Sequence, residues 1–357
     1  MPQIPRSLCE DSFYAPDFDV DKVRPEECGC PVKDCTEDLK MAHSQWGDMP
    51  FCPRHCIRIH PSSPTFVYFN GETSEDEKVA AKRNIRFEKE WFAGHVLGST
   101  LKAESHRIVS EKSEDALTWD VCAFLAGKPD GLRKLAGFLM EPDATVPKGT
   151  PQLYLWGLRI DLSSDGPCAR SPELDAAREV FEADVRRYHT EPDLMLLFPG
   201  ELLLLCEVKF ASPNGIARNT VPKAGEKPYN MSDVLDRYDS DLVRKVINKG
   251  AASKPFYTQL YRNLVFAVYM ANSLGVPWHV ANLVSKTQFG RHKSAGYLEP
   301  TKQIRALLNP NRRTQFTYRT WEDFWTQCVQ GDEGMGKLKE YFRKKSAFLA
   351  RAFDLPD

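Results

Sequence analysis

The amino-acid sequence predicts an α/β fold. Apolar runs with a side-chain period of two alternate along the chain with segments whose apolar residues recur at helical spacing. Two such runs flank Pro199-Gly200, and the longest helical segment, from Lys254 to Leu274, leads directly into the strand-like run WHVANLV at residues 278–284. Strands that alternate with helices of this length are typical of a sheet covered by helices.

Length, composition and charge limit the function classes. The 357 residues have 42% hydrophobic content and a formal net charge of −1, enough for one large domain or two ordinary ones. No apolar run approaches the ~18 residues of a membrane span, and no charged-then-apolar leader is present, so we expect a cytoplasmic protein without membrane contact. The near-zero charge argues against a protein that coats nucleic acid through bulk positive charge, so phosphate contacts would need local basic patches.

The N-terminal part divides into an extended arm and a zinc-binding module. Residues 1–27 are rich in Pro, Asp and Glu without a sustained period, which indicates an extended arm. In residues 28–64, cysteines and histidines crowd together, and the spacings Cys-x4-Cys and Cys-x2-His favour one structural zinc site. The preferred ligands are Cys30, Cys35, Cys52 and His55, with Cys28, Cys56 and His60 as substitutes.

The remainder, residues 65–357, reads as one domain with a C-terminal extension. TFVYFN at 65–70 predicts a strand, and a charged helical stretch follows it through Trp91. Ser113 is a plausible N-cap for a helix that runs to Gly127. Residues 152–162 predict the first core strand. Residues 172–189 predict a helix that precedes the next core strand.

The segment from Thr190 to Phe210 holds the main candidate site. A period of two places Glu207 and Lys209 on one face of the second apolar run. Burying these charges is unfavourable unless they pair or bind a metal, and Asp193 stands at the start of the first run. We therefore expect Asp193, Glu207 and Lys209 to form a site on a core sheet.

Strand register tests this expectation. A two-residue loop at Pro199-Gly200 would pair Asp193 with Cys206 and send its side chain to the face opposite Glu207. A three-residue loop that includes Glu201, or a bulge, would pair Asp193 with Glu207 instead. A shared site therefore predicts an odd loop length or a bulge.

Pro192-Asp193 and Glu207-Val208-Lys209 resemble the signature of the PD-(D/E)XK superfamily of restriction-endonuclease-like nucleases. The resemblance implies an αβββαβ core, here at about residues 113–285, with helical additions. It also implies that Asp193, Glu207 and the Val208 carbonyl bind Mg²⁺ or Mn²⁺, and that Lys209 serves the attacking water. By the same resemblance the substrate is DNA and the biology is restriction or mobile-element defence in a prokaryote.

Two further site residues follow from the resemblance. A glutamate on the first core helix often completes the acidic cluster, and Glu114 is the preferred candidate. Glu179 and Glu182 are rivals, because their helix directly precedes Asp193. A polar residue on the helix after the catalytic strand is common in the superfamily, which points to Gln259.

Several readings of the remaining sequence stay open. The loop after Lys209 carries Arg218, Lys223 and Lys227, which could hold a phosphate backbone. The C-terminal extension carries three basic groups that predict a nucleic-acid-binding rim: Arg291-His292-Lys293, Arg312-Arg313 and Arg343-Lys344-Lys345. A homodimer is left open. A non-catalytic nucleic-acid-binding or scaffold protein on the same fold is the first alternative, with the zinc module in recognition. A different metal hydrolase on the same acids is the second. Neither a Gly-x-Ser-x-Gly motif nor a phosphate-binding Gly-rich loop is present.

Overall fold

The computed structural model describes most of the chain, in twelve segments. These are residues 30, 35–42, 48–59, 66–69, 74–97, 108–185, 189–212, 214, 231–248, 257–287, 300–349 and 355. The expected arm at 1–27, the basic loop residues Arg218, Lys223 and Lys227, and the substitute zinc ligands Cys28 and His60 lie outside them.

Ten strands and eleven helices form the described structure. The strands are β1 (Lys40–Ala42), β2 (Met49–Cys52), β3 (Ile57–Ile59), β4 (Phe66–Tyr68), β5 (Gln152–Leu155), β6 (Leu158–Ile160), β7 (Leu194–Phe198), β8 (Leu202–Val208), β9 (Trp278–Val284) and β10 (Phe316–Thr320). The helices are α1 (Ser74–Arg83), α2 (Lys89–Phe92), α3 (Glu114–Ala126), α4 (Gly131–Leu139), α5 (Pro172–Phe181), α6 (Met231–Arg237), α7 (Asp241–Arg244), α8 (Thr258–Leu274), α9 (Pro300–Leu307), α10 (Trp321–Phe324) and α11 (Gly336–Leu349). Short π-helical and 3₁₀ turns adjoin α2, β10, α10 and α11.

The chain divides into two compact units. The first comprises Met1–Ser99, Ser105–Phe124 and Asp332–Asp357, and the second comprises Thr100–Glu104 and Leu125–Gly331. This division differs from the predicted one, which separated a zinc module at residue 64 from everything that follows. The cysteine-rich segment shares its unit with α1, with nearly all of α3 and with the C-terminal helix α11.

The first unit contains a small antiparallel sheet in the order β1-β2-β3-β4. Its last strand confirms the strand predicted at 65–70. Helix α3 begins as predicted, because the Ser113 hydroxyl accepts a hydrogen bond from the Ala116 amide at 3.0 Å. Glu114 and Asp115 occupy its first turn, where acidic side chains complement the helix dipole.

The second unit is built on a six-stranded mixed sheet in the order β10-β9-β8-β7-β5-β6. Strands β6, β5, β7 and β8 pair antiparallel, whereas β9 is parallel to β8 and β10 is parallel to β9. Helix α8 makes the crossover between β8 and β9, the kind of connection that parallel neighbours need. The predicted α/β class is therefore observed. Helix α8 ends where the sequence predicts, at Gly275 with φ of 67°.

Two predicted elements needed correction. The single strand expected at 152–162 is the hairpin β5–β6, whose turn residues Trp156 and Gly157 have φ of 53° and 80°. Positive φ at both positions belongs to a type I′ turn, and a tryptophan there conceals the turn because this side chain rarely adopts that backbone. The helix expected to reach residue 189 ends at Phe181.

The β7–β8 hairpin has the odd loop that a shared site requires. Phe198 pairs with Leu202 and Leu194 pairs with Cys206, so the loop holds three residues. The Glu201 amide donates to the Phe198 carbonyl at 2.9 Å, and Gly200 has φ of 73°. Proline followed by a residue of positive φ is the arrangement of a type II turn. This register places Asp193, one residue before β7, opposite Glu207.

Helix α8 covers the sheet face on which these residues lie. Met195 and Leu197 of β7 and Leu203 and Leu205 of β8 belong to one buried core with the apolar side of α8. Because side chains alternate between faces, Asp193, Glu207 and Lys209 continue these two rows. The three charged residues therefore lie at the end of an apolar layer between sheet and helix.

Candidate functional site

Glu207 and Lys209 form a buried ion pair at the end of β8. Their side chains are 3% and 8% exposed, and Lys209 Nζ lies 2.7 Å from Glu207 Oε1. Two adjacent same-face positions on a strand are what bring them together. A charge pair this deeply buried is weak evidence for stability, because removing both ions from water offsets much of their attraction. A buried pair that adds little to stability is a candidate functional site.

Asp193 is fixed against the same strand. The Val208 amide donates to Asp193 Oδ2 at 2.7 Å, so the carboxylate takes the place of a backbone acceptor just beyond the end of the β7–β8 ladder. The aspartate is half-buried, unlike Glu207. Its contact with the residue between Glu207 and Lys209 holds the two carboxylates at one end of the hairpin.

The two carboxylate oxygens of Glu207 have different surroundings. Asn263 of α8 donates from Nδ2 to Oε2 at 2.9 Å. Oε1 is buried beside the Lys209 amine, yet no described residue gives it a hydrogen bond of regular geometry. Glu207 thus presents one oxygen held by an amide and one oxygen held by charge alone.

Asn263, rather than Gln259, is the α8 side chain that contacts the acid among the residues described. Asn263 is 2% exposed, whereas Gln259, one turn earlier, is half-buried. Residues four apart share a helix face, so Gln259 and Asn263 lie on the same side of α8. A catalytic part for Gln259 stays a prediction.

Further asparagines support the backbone of β8. Asn282 of β9, which pairs with Glu207, donates to the Glu207 carbonyl at 2.9 Å. Asn214 in turn donates to Asn282 Oδ1 at 2.8 Å. Sequence reasoning treated residues 278–284 as a plain apolar strand and missed this role. The signal was present, because an asparagine inside a fully buried strand needs a specific partner.

Glu182, one rival for the third acid, is committed elsewhere. It is buried, and its carboxylate accepts from the Thr190 amide at 2.8 Å and from the Tyr238 hydroxyl at 2.6 Å. Burial raises the pKa of Tyr238, so the phenol stays a donor to the glutamate. Arg262 also reaches this group, through Thr190 Oγ1 at 2.8 Å. The cluster anchors the segment that leads into Asp193.

The other two candidates for the third acid occupy helix surfaces. Glu179 is exposed on α5, and Glu114 is the first residue of α3, half-buried. Among the described residues, the place that gathers three or more potential His, Cys, Asp or Glu ligands is the cysteine cluster. A third acid beside Asp193 and Glu207 therefore stays a prediction.

The donor set of the site fits a hard divalent cation. Carboxylate oxygens of Asp193 and Glu207, with the Val208 carbonyl, are the ligand types that Mg²⁺ and Mn²⁺ prefer. Glu207 Oε1 is a buried anionic oxygen without a directed donor, which is the kind of atom a metal ion would satisfy. These three residues are the ones that could hold the ion.

The predicted zinc ligands are brought together in the first unit. The ligand atoms of Cys30, Cys35, Cys52 and His55 all lie within 4.8 Å of one another. His55 Nδ1 is 3.3 Å from the Cys30 sulfur and 3.5 Å from the Cys52 sulfur, and the Cys35 and Cys52 sulfurs are 3.9 Å apart. This cluster could bind a metal such as zinc.

The spacing agrees with a tetrahedral ion. Zinc bonds of about 2.3 Å to sulfur and about 2.0 Å to nitrogen separate two sulfurs by about 3.8 Å and a sulfur from a nitrogen by about 3.5 Å. The nearby Cys30 thiol, with smaller help from His55, lowers the pKa of Cys52 to about 4 against the effect of burial. Cys52 is then a thiolate, the form that ligates metal.

Cys56, a substitute in the sequence reading, lies outside this group. Its thiol contacts the Pro53 carbonyl at 3.8 Å, and its backbone has φ of 50°. Arg83 of α1 donates to the carbonyls of His55 and Cys56 at 2.7 and 2.9 Å. These two hydrogen bonds attach helix α1 to the loop that carries the histidine ligand.

One residue of the predicted basic rim, Lys345, is buried and does not lie on the surface. Lys345 is 2% exposed, with its amine 2.7 Å from Glu111 and 2.9 Å from Asn84 Oδ1. It is a buried partner and not a surface cation. Arg312 and Arg313 are exposed, and residues 291–293 lie outside the described segments.

A cavity of about 680 Å³ lies at the other end of the sheet. Glu201 and Leu202 at the hairpin loop line it, together with Pro277 and Trp278 at the start of β9. Glu207 and Lys209 are at the opposite end of β8, so the candidate site is separate from this cavity.

Comparison with known proteins does not identify a family for this chain. In the part of the chain that the structure describes, no helix combines the length and apolar character that crossing a bilayer demands. No protein-family model, no curated protein and no solved structure matches this chain.

Proposed function

We propose that this protein is a metal-dependent phosphodiesterase that cleaves nucleic acid, most readily DNA. One observation carries the proposal: the three-residue loop of the β7–β8 hairpin sets a register in which Asp193 shares a face with Glu207 and Lys209. Two carboxylates and an amine at one strand end match the composition of a metal-assisted hydrolytic site. The αβββαβ identity of the core is part of the same proposal.

Each residue has a role that follows from its contacts. When bound, a divalent ion would supply Lewis acidity to a phosphodiester and to a water molecule. Asp193 and Glu207 would bind it, with the Val208 carbonyl as a third oxygen. Lys209 would orient the attacking water, and Asn263 would hold the Glu207 carboxylate in one orientation through its 2.9 Å hydrogen bond.

A cleavage assay tests the proposal. Labelled double-stranded DNA, single-stranded DNA and RNA are incubated with the protein and Mg²⁺ or Mn²⁺, beside the variants Asp193→Asn, Glu207→Gln and Lys209→Ala. We expect metal-dependent cleavage by the wild type and losses of about 10²-fold or more in each variant. Asp165→Asn, which changes an exposed aspartate in the same unit, is the matched control and should retain full activity. Cleavage that survives in Lys209→Ala would refute the mechanism.

A non-catalytic nucleic-acid-binding protein on the same fold is the second candidate. It is favoured by the way Glu207 and Lys209 neutralise each other at 2.7 Å. In that case DNA binding should be equal in wild type and Asp193→Asn, with no cleavage under any metal. A gel-shift titration of both proteins in EDTA and in Mg²⁺ separates the two functions.

We assign the Cys30, Cys35, Cys52 and His55 cluster a structural zinc ion. Four protein ligands complete a tetrahedron and leave no open position for a substrate or a water. Metal analysis of purified protein should find one zinc per chain, and the cleavage variants above should retain it.

A further inference from the structure

The Lys209 amine occupies the place where a metal would act on Glu207. Nζ lies 2.7 Å from Oε1, which is also the carboxylate oxygen that receives no regular hydrogen bond from a described residue. Oε2 is engaged by Asn263 at 2.9 Å. The buried oxygen open to an added cation is therefore the one beside an existing cation.

Geometry forces the two cations close together. A Mg²⁺ ion bonds oxygen at about 2.1 Å, so any ion on Oε1 would lie within about 5 Å of the present Nζ position. At that separation two positive charges destabilise each other, and more strongly in a buried site than in water. With 8% exposure, the lysine side chain has little solvent to screen this repulsion.

We infer that Lys209 is an internal competitor of the divalent cation: its ammonium group neutralises Glu207 in the metal-free protein and must leave Oε1 when metal binds. The lysine thus sets the metal affinity of the site in addition to orienting the attacking water. The metal-free site is closed by an ion pair, and loading it requires the exchange of one cation for another. This inference rests on the metal site of the proposed function.

Metal affinity, not cleavage, tests the inference. Mn²⁺ binding to zinc-loaded full-length protein is measured by calorimetry for wild type, Lys209→Met, Lys209→Gln, Lys209→Arg and Glu207→Gln. We expect the two neutral variants to bind Mn²⁺ about tenfold or more tightly than the wild type, because the competing charge is gone. Lys209→Arg keeps a charge and should show no gain, and Glu207→Gln should abolish the binding. Lys78→Met, which removes an exposed lysine paired with Glu75, is the matched control.

A second measurement uses the unaltered protein. In ¹⁵N-lysine-labelled wild type, the Lys209 ammonium should give a protected signal that moves or disappears when Mg²⁺ saturates the site. Equal or weaker Mn²⁺ binding by both neutral variants, or an unchanged Lys209 signal at saturation, would overturn the inference. The proposed function fails separately, by absence of cleavage in a protein whose metal affinities still follow this order.

Discussion

Replacing Lys209 with methionine should destabilise the sheet unit by about 3 kcal/mol at pH 7. The change removes the counter-charge from a glutamate whose side chain is 3% exposed, and losing one partner of a buried pair costs about 3 to 5 kcal/mol. The Asn263 hydrogen bond to Glu207 remains in the variant, which places the expected loss at the lower end of that range. Because the chain has two units, the measurement is hydrogen exchange of the β8 amides rather than a global melt.

A double-mutant cycle provides the control. Glu207→Gln combined with Lys209→Met removes both charges and should be clearly more stable than Lys209→Met alone, since no buried ion is left unpaired. Lys78→Met should leave β8 exchange unchanged. A Lys209→Met protein within 1 kcal/mol of wild type, on the order of the ~1 kcal/mol of an exposed pair, would refute this reasoning about the site.

The remaining predictions concern the zinc site, a buried histidine and the hairpin turn. Cys52→Ser should lose the bound zinc and Cys56→Ser should keep it, as metal analysis would show; equal zinc content would contradict the ligand assignment. Burial lowers the pKa of His279 to about 4, so the unfolded chain takes up its proton first and stability falls as pH drops from about 6.5 to about 4, by roughly 3 kcal/mol. In His279→Gln this slope in β9 hydrogen exchange should disappear, and parallel curves would show that another group causes it. Gly200→Ala should cost about 1 kcal/mol, since an added Cβ meets no atom within 4 Å and only the left-handed backbone at φ of 73° is strained. Gly331→Ala, also open but without positive φ, is its control when both variants are compared with the wild type by hydrogen exchange of the β8 amides.

Local pattern was sufficient for the elements that carry the candidate site. The period of two in residues 202–210 placed Glu207 and Lys209 together, and the structure shows them 2.7 Å apart. Strand β9 and the end of α8 at Gly275 also follow the sequence, because apolar periodicity and a helix-terminating glycine act locally. The β5–β6 turn was missed since Trp156 adopts a backbone that its residue type disfavours.

The sequence by itself determined which chemical groups are available: two acids and a lysine at the ends of two apolar strands, and four spaced zinc ligands. It also implied that Asp193 and Glu207 can share a site only if the hairpin loop between their strands has an odd number of residues or a bulge. Only the tertiary structure decided that the loop has three residues, that Asn263 and Asn282 support Glu207, and that Glu182 is committed to Thr190 and Tyr238. These contacts join residues as much as 75 positions apart. Partners so distant are chosen by how the sheet and α8 pack, and no local period encodes that choice.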